Sequence, residues 1–382
     1  MRNISNKYST LFGRKAEFLA RAPGRINLIG EHTDYNKGFV LPAAIDKHMF
    51  FAFGKNKEKS IELYSYDLDE KVTIESLEKL EKNTWANFII GILQVLKNKG
   101  LEIRNFNMVF GGNIPIGGGL SSSSALECGL LKILNQAYDL GLDHMEMIEI
   151  SRSSNHHFLE LQGGIMDQFS VLNGIADHAM LLNCETHEYS QIPLRMNGYS
   201  FVLIDSNVSH SLVNSAYNDR VREGKEALTI IQKKYPKVRH LSMATLVQID
   251  AVEKSLSQIQ KARARFIIEE NRRVHKFCAA LAKKDIGKVG NLIYASHEGL
   301  RDQYQVSCKE VDLLVDLAKK SEGVIGARMI GGGFGGCTLN LIESKNALTT
   351  AQKISSSYKA ITGISSKVYD IKIGDGVSVF EN

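Results

Sequence analysis

At 382 residues, with 43% hydrophobic and 23% charged, the chain has the make-up of an ordinary globular protein and is too long for one small core. The mild balance of +5, with Lys and Arg spread along the chain, suits a small anionic ligand and gives no case for nucleic acid. Five cysteines, odd in number and without a CxxC pair, read as reduced thiols with neither a disulfide frame nor a zinc site, and no apolar leader or membrane-length run occurs, so a place in the cytoplasm is expected; for the oligomeric state, which the sequence does not give, a monomer is favoured.

Residues 1–16 read as a polar, helical lead-in. A short strand over 17–21 runs into APGRINLIGEHTDYNKGFVLPAAID, which gathers Arg25, Glu31, His32 and Asp34 among Gly24, Gly30 and Gly38. Loop-type glycines beside a packed set of charges mark a site rather than a core strand. Alternation predicts strands over 50–53 and 61–66, and 85–97 (WANFIIGILQVLK) reads as an amphipathic helix stopped at Gly100. The apolar run 106–110 predicts a strand leading into GGNIPIGGGLSSSSALE, residues 111–127. Here Gly117, Gly118 and Gly119 carry no side chain to keep a ligand off the backbone. Leu120 and four serines, Ser121, Ser122, Ser123 and Ser124, follow, and 125–134 reads as an amphipathic, partly buried helix. A strand, a glycine loop and a serine-capped helix start offer free N–H groups and a favourable dipole to phosphate oxygens. Alone, such a loop is also what a serine-capped turn looks like. It is no Walker loop, because no Lys or Arg occurs between residues 111 and 131. The protein-kinase strings HRD and DFG are absent too.

Asp143 and Glu146 form a capping-box start for a helix expected to reach about residue 161. His156 and His157, adjacent on that helix, point in different directions and are expected to be structural or exposed. GGIMDQFSVLNG then places one acid, Asp167, among apolar neighbours, with a helix cap as the competing reading. Strands over 178–183 and 200–205 flank a polar segment, 186–198. It is the expected boundary between an N-terminal domain, 1–190, and a C-terminal α+β domain, 191–382. Helices are predicted over 215–234, 261–283, 286–300 and 309–320. VIGARMI, GGGFGG and CTLNLI form a β-turn-β unit whose glycine run is expected to brace the phosphate loop. A helix over 347–358 and a strand over 366–371 finish the chain.

Three stretches, PGRINLIGEHTDYNKGFVLP, IPIGGGLSSSSALE and GARMIGGGFGGCTL, resemble in order and spacing the motifs of one small-molecule kinase superfamily. It includes galactokinases and the homoserine, mevalonate and phosphomevalonate kinases. GRINLIGEHTDY is similar to the galactokinase signature itself. TWANFIIG, GIMDQF, SNVSHSLVNSAY, RARFIIEENRRV and SHEGLRDQYQVSC extend the likeness over nearly the whole chain. The resemblance implies a two-domain α+β kinase fold with its active site in the inter-domain cleft. It implies phosphoryl transfer from ATP, with Mg²⁺, to the anomeric hydroxyl of α-D-galactose. Asp167 matches the general base, and Arg25 the cation beside it and the transferring phosphoryl group. Glu31, His32, Asp34, Tyr217 and the backbone of Gly164 match sugar contacts, a task carboxylates suit because each accepts bonds from two hydroxyls. The N–H groups of residues 117–122 match the triphosphate cradle, Ser123 the serine on Mg²⁺, and Trp85 a position near adenine. Tyr217 and Trp85 can equally be core aromatics with a satisfied polar tip.

One departure bears on the chemistry. In the family the chain resembles, a glutamate that helps to hold Mg²⁺ usually stands twelve residues before the aspartate matched by Asp167, and here that position is Asn155. Losing a carboxylate weakens a site for a hard cation, and Glu160, more than a helical turn further on, is a poor substitute. Gly163 stands where Cys is usual and Ser124 where Ala is usual. Two alternatives stay open: a kinase of a related sugar such as N-acetylgalactosamine, and a non-catalytic sensor of galactose and ATP, which Asn155 motivates. A kinase of homoserine or mevalonate leaves Glu31, His32 and Asp34 without a purpose, because those substrates carry carboxylates.

Overall fold

The computed structural model describes residues 1–81, 85–115, 117–194, 196–208 and 213–382, with the backbone alone for 213–215. Residues 84, 116 and 209–212, which belong to TWANFIIG, IPIGGGLSSSSALE and SNVSHSLVNSAY, lie outside the described residues. The first half of the chain runs α1 (Arg2–Phe12), β1 (Phe18–Asn27), β2 (Phe39–Val40), β3 (Pro42–Lys55), β4 (Ile61–Ser65), β5 (Glu70–Ile74), α2 (Ala86–Asn98) and β6 (Phe106–Gly112). It continues with α3 (Ser122–Tyr138), α4 (His144–Ser153), α5 (Met166–Asn173), β7 (His178–Asn183) and β8 (Tyr189–Pro193). The second half runs β9 (Tyr199–Asp205), α6 (Val213–Lys234), α7 (Leu246–Asp250), α8 (Gln258–Ala282), α9 (Ile286–Glu298), α10 (Lys309–Lys319), β10 (Val324–Met329), β11 (Cys337–Glu343), α11 (Ala347–Thr362), β12 (Lys367–Asp370) and β13 (Ser378–Glu381).

A six-stranded sheet, ordered β13-β1-β3-β6-β4-β5, is antiparallel except where β4 meets β6. A four-stranded antiparallel sheet, β10-β11-β9-β12, organises the second half, and β2, β7 and β8 form a small third sheet. The largest core joins the six-stranded sheet to α2–α5 through side chains such as Phe51, Ile89, Leu130 and Phe169. A second closes α10 and α11 over the four-stranded sheet through Val202, Leu314, Ile354 and Tyr358. No described helix is long and apolar enough to cross a membrane.

Four differences from the sequence expectation stand out, and the first three bear on the site. Residues 22–27, expected in a loop, continue β1, with a register shift between Pro23 and Arg25 of the kind that re-aims a side chain. Helix α3 carries more than an apolar stripe. Eleven of its 17 residues are buried, because it runs between the sheet and the other helices. Helix α4 has the predicted capping box at Asp143 and Glu146 but ends at Ser153; a π-helical turn, Ser154–Phe158, follows. Strands β2, β5, β8 and β13 were not predicted. Strand β8 is largely exposed and shows no apolar alternation, and β13 has four residues and pairs with β1 at the opposite end of the chain.

Candidate active site

Between the two halves lies a cleft of about 470 Å³. Its lining brings together Arg25, Glu31, His32, Asp34, Gly117, Gly119, Ser121, Ser123, Asn155, Gly164, Asp167 and Tyr217, residues far apart in the chain. Three residues of the predicted cradle are not in this lining. Leu120 is buried in the core and Gly118 is backed by Cys337. Ser122 lines an adjoining apolar cavity of about 170 Å³ that also contains Ser123, Trp85, Phe88 and Phe110. There the Trp85 Nε1–H donates to Glu70 Oε2 at 2.8 Å and its ring meets Phe110 edge-on, with centroids 4.9 Å apart.

Asp167 sits in the first turn of α5, and its carboxylate faces Arg25 rather than capping the helix. Its Oδ1 accepts from Arg25 Nε at 2.8 Å, and its Oδ2 accepts from Arg25 Nη2 at 3.0 Å and from the Ser121 hydroxyl. Arg25 Nη1 donates to the Gly119 carbonyl at 2.6 Å. One planar guanidinium therefore holds the carboxylate by both oxygens and ties it to the glycine loop. A serine cap was expected at the start of α3. The Ser121 backbone there is instead left-handed, at φ 58°, and its hydroxyl is turned to Asp167. The first ladder bond of the helix runs from Ala125 N–H to the Ser121 carbonyl at 3.0 Å. The N–H groups of Ser122, Ser123 and Ser124 thus stand ahead of the ladder, as an anion site at a helix start requires. The glycine run 331–336 braces this loop, as expected. A Cβ on Gly331 would stand 3.0 Å from the Gly119 carbonyl oxygen, so the two backbones meet with no room for a side chain. Gly331 and Gly332 also line the cleft.

The sugar-motif residues form the opposite wall. Glu31 has one oxygen already occupied, since its Oε1 accepts from Arg328 Nη2 and from Gly331 N–H, both at 2.9 Å. His32 is buried, with Nδ1 2.9 Å from the Tyr35 hydroxyl and Nε2 without a partner among the described residues. Burial brings its pKa down to about 3, so the ring is neutral across the ordinary pH range. Burial, and then the neighbouring Asp167 charge, push the Asp34 carboxyl up to about 7. A Cβ on Gly164 would overlap the Asp34 carboxylate, which explains a glycine there. The Tyr217 ring lies 5.5 Å from those of His32 and Tyr35.

The anchors of this wall were not singled out from the sequence. Glu270 Oε1 accepts from Gly30 N–H at 2.9 Å, and Asn271 Oδ1 from Phe39 N–H at 2.7 Å. Arg328, fully buried, donates to the Asn27 carbonyl at 2.5 Å as well as to Glu31. All three lie in segments that carried the resemblance, but on a helix and a strand where charge periodicity cannot tell an anchor from a solvated face.

Among the described residues no three His, Cys, Asp or Glu side chains converge as a metal set. Oxygen donors are present nonetheless. Ser123 and Asn155 line the cleft, and both Asn155 Oδ1 and Glu127 Oε1 are buried without a partner among the described residues. Such a set fits Mg²⁺, which takes few protein oxygens when a nucleotide supplies the rest. Burial pushes the Glu127 carboxyl up to about 7. Glu160 is exposed, at φ 61°, and is not part of the cleft wall. Arg152, one turn before Asn155, and His156 also line the cleft; the His156 Nε2 lies 2.8 Å from the Gly163 carbonyl, a structural contact, and His157 is exposed.

The class follows from family models and fold together. The GHMP kinases N terminal domain matches residues 87–174, the GHMP kinases C terminal model residues 277–360, and a galactokinase galactose-binding signature residues 6–55. A mevalonate kinase structure, 16% identical, shares the fold at a TM-score of 0.65 over 94% of this chain and 99% of that one. The chain is a GHMP-type kinase of two domains. Relatives narrow the class. Galactokinase of Thermotoga maritima is 38% identical over 94% of this chain and 98% of its own. That of Staphylococcus carnosus is 38% identical over 98% of both. The structure of Lactococcus lactis galactokinase complexed with galactose superposes at a TM-score of 0.93, with 32% identity over 98% of both chains. The chain belongs to the galactokinase family.

Proposed function

We propose that the protein transfers the γ-phosphoryl group of ATP to the anomeric hydroxyl of α-D-galactose, giving galactose 1-phosphate and ADP. The observation that carries this reading is the Arg25–Asp167 pair, which holds a carboxylate beside both the glycine-serine loop and the sugar-motif wall. A sugar hydroxyl is a weak nucleophile. Asp167 accepts its proton as the oxygen attacks the γ-phosphorus and the bond to the β,γ-bridging oxygen breaks. Arg25 fixes the carboxylate and faces the charge that develops on the transferring group. The N–H groups at the start of α3 hold the triphosphate, with adenine in the cavity beside Trp85. Asp34, His32 Nε2, Tyr217 and the open oxygen of Glu31 meet sugar hydroxyls. When bound, Mg²⁺ neutralises phosphate charge, and Ser123 and Asn155 are the residues that would hold it.

A coupled assay of ADP release over galactose, N-acetylgalactosamine and glucose tests the reading. Release with galactose well above the ATPase background is expected. Release only with N-acetylgalactosamine selects the related-sugar kinase, and binding of galactose and ATP without turnover selects the sensor.

The raised pKa of Asp34 gives this reading a pH signature. As an acceptor for hydroxyls, Asp34 binds sugar in its ionised form, which is the minor form below pH 7. Galactose affinity is therefore expected to rise with pH and level off above 7, and to be weaker at pH 6 than at pH 8 by about tenfold. Calorimetric titration checks this. Asp34→Asn should flatten the profile, and an affinity constant from pH 6 to 8 in the unaltered protein contradicts the assignment.

A further inference from the structure

Glu127 is a buried carboxylate, 1% exposed, that the reaction as drawn leaves unused. It lies one turn after Ser123 on α3, so the two share a face of that helix. Its Oε2 accepts from the Ser151 hydroxyl at 2.5 Å and from Asn155 Nδ2 at 3.2 Å, while Oε1 has no partner among the described residues. An ionised carboxylate only accepts, so this contact fixes the Asn155 amide with its nitrogen toward Glu127. The other end of the amide, Oδ1, is buried and unpartnered in a residue that lines the cleft beside Ser123. A lone buried acceptor of this kind is costly unless something occupies it.

We propose that Asn155 and Glu127 act as one unit on the divalent cation of the bound nucleotide, Asn155 Oδ1 as a neutral ligand and Glu127 as the positioning carboxylate behind it. Glu127 turns the amide, polarises its carbonyl and supplies, one residue removed, the negative charge that a glutamate at position 155 would bring. This rests on the proposed binding of metal-nucleotide in the cleft. It makes the neutral residue at 155 a relocation of charge rather than the loss of a metal site.

The test is Mn²⁺ binding at pH 8 to the full chain saturated with a non-hydrolysable ATP analogue, read from the free-ion paramagnetic signal. Analogue binding without metal is measured in parallel. Glu127→Gln and Asn155→Ala are each expected to weaken Mn²⁺ binding about tenfold, in the range typical of altered outer-shell partners. The double variant should be little worse than either, as members of one unit are. Asn155→Glu placed in the Glu127→Gln protein should restore the affinity, which a merely structural role for Glu127 would not produce. Mn²⁺ affinity within twofold of the unaltered protein in Glu127→Gln, or failure of that rescue, overturns the proposal while leaving the kinase reading intact. No binding of the analogue by the unaltered protein, with or without metal, overturns that reading as well.

Discussion

Asp167→Asn is expected to lower kcat for galactose by about 10² to 10⁴, the range over which a positioned general base contributes. The substitution keeps the size of the side chain and removes its capacity to take a proton. It also sets an amide N–H₂ against donors, because Asp167 accepts from Arg25 Nε, Arg25 Nη2 and the Ser121 hydroxyl. One oxygen remains to accept, so Arg25 keeps part of its anchor, and its own bond to the Gly119 carbonyl is untouched. Galactose and nucleotide should still bind, within about tenfold of the unaltered protein. Turnover and calorimetric binding measured on the same preparation separate the two effects. A variant that turns over within a few fold of the unaltered enzyme removes Asp167 from the role of base.

Arg328→Met is expected to cost about 3–5 kcal/mol of stability, the range for breaking a buried ion pair on one side. The Arg328 side chain is 0% exposed and that of Glu31 3%, so neither charge has water to fall back on. Removing the guanidinium strips Glu31 of its counter-charge and the Asn27 carbonyl of a donor, and leaves the Ser296 hydroxyl without its 3.2 Å contact. Glu31 also holds the Gly331 N–H, so the sugar wall and the glycine turn should loosen together, raising KM for galactose. A lower urea midpoint with an unchanged slope reads the stability loss. Combining Arg328→Met with Glu31→Gln should cost less than the two single changes summed, because the second removes the charge that the first strands. Equal stability of Arg328→Met and the unaltered protein would mean that the pair does not anchor the wall.

Much of this site was legible in the sequence because its chemistry is concentrated in short stretches. Arg25, Glu31, His32 and Asp34 fall within ten residues, and the glycine and serine run is continuous. Asp167 stood out as one acid among apolar neighbours. What holds these residues in place was not legible, because it arises from tertiary contacts. Glu270 reads as one of several charges on a long helix, yet it is fully buried beneath Gly30. Ser121 has the residue type of a helix cap, and the guanidinium-bound carboxylate beside it captures the hydroxyl instead. The capping box at Asp143 and Glu146 is local and was legible; the π turn that carries Asn155 toward Glu127 is not encoded by any single residue type. Strand β13 depends on a partner some 360 positions away, and four residues carry too little pattern to predict such pairing.

The most direct test of the central claim is phosphorus-31 magnetic resonance of the products from galactose and MgATP. The account predicts that the γ-phosphate signal is replaced one for one by a monoester coupled to the anomeric proton of the α-sugar, and that Asp167→Asn yields none on the same timescale. Inorganic phosphate as the sole product, or an ester on a hydroxyl other than the anomeric one, would contradict it.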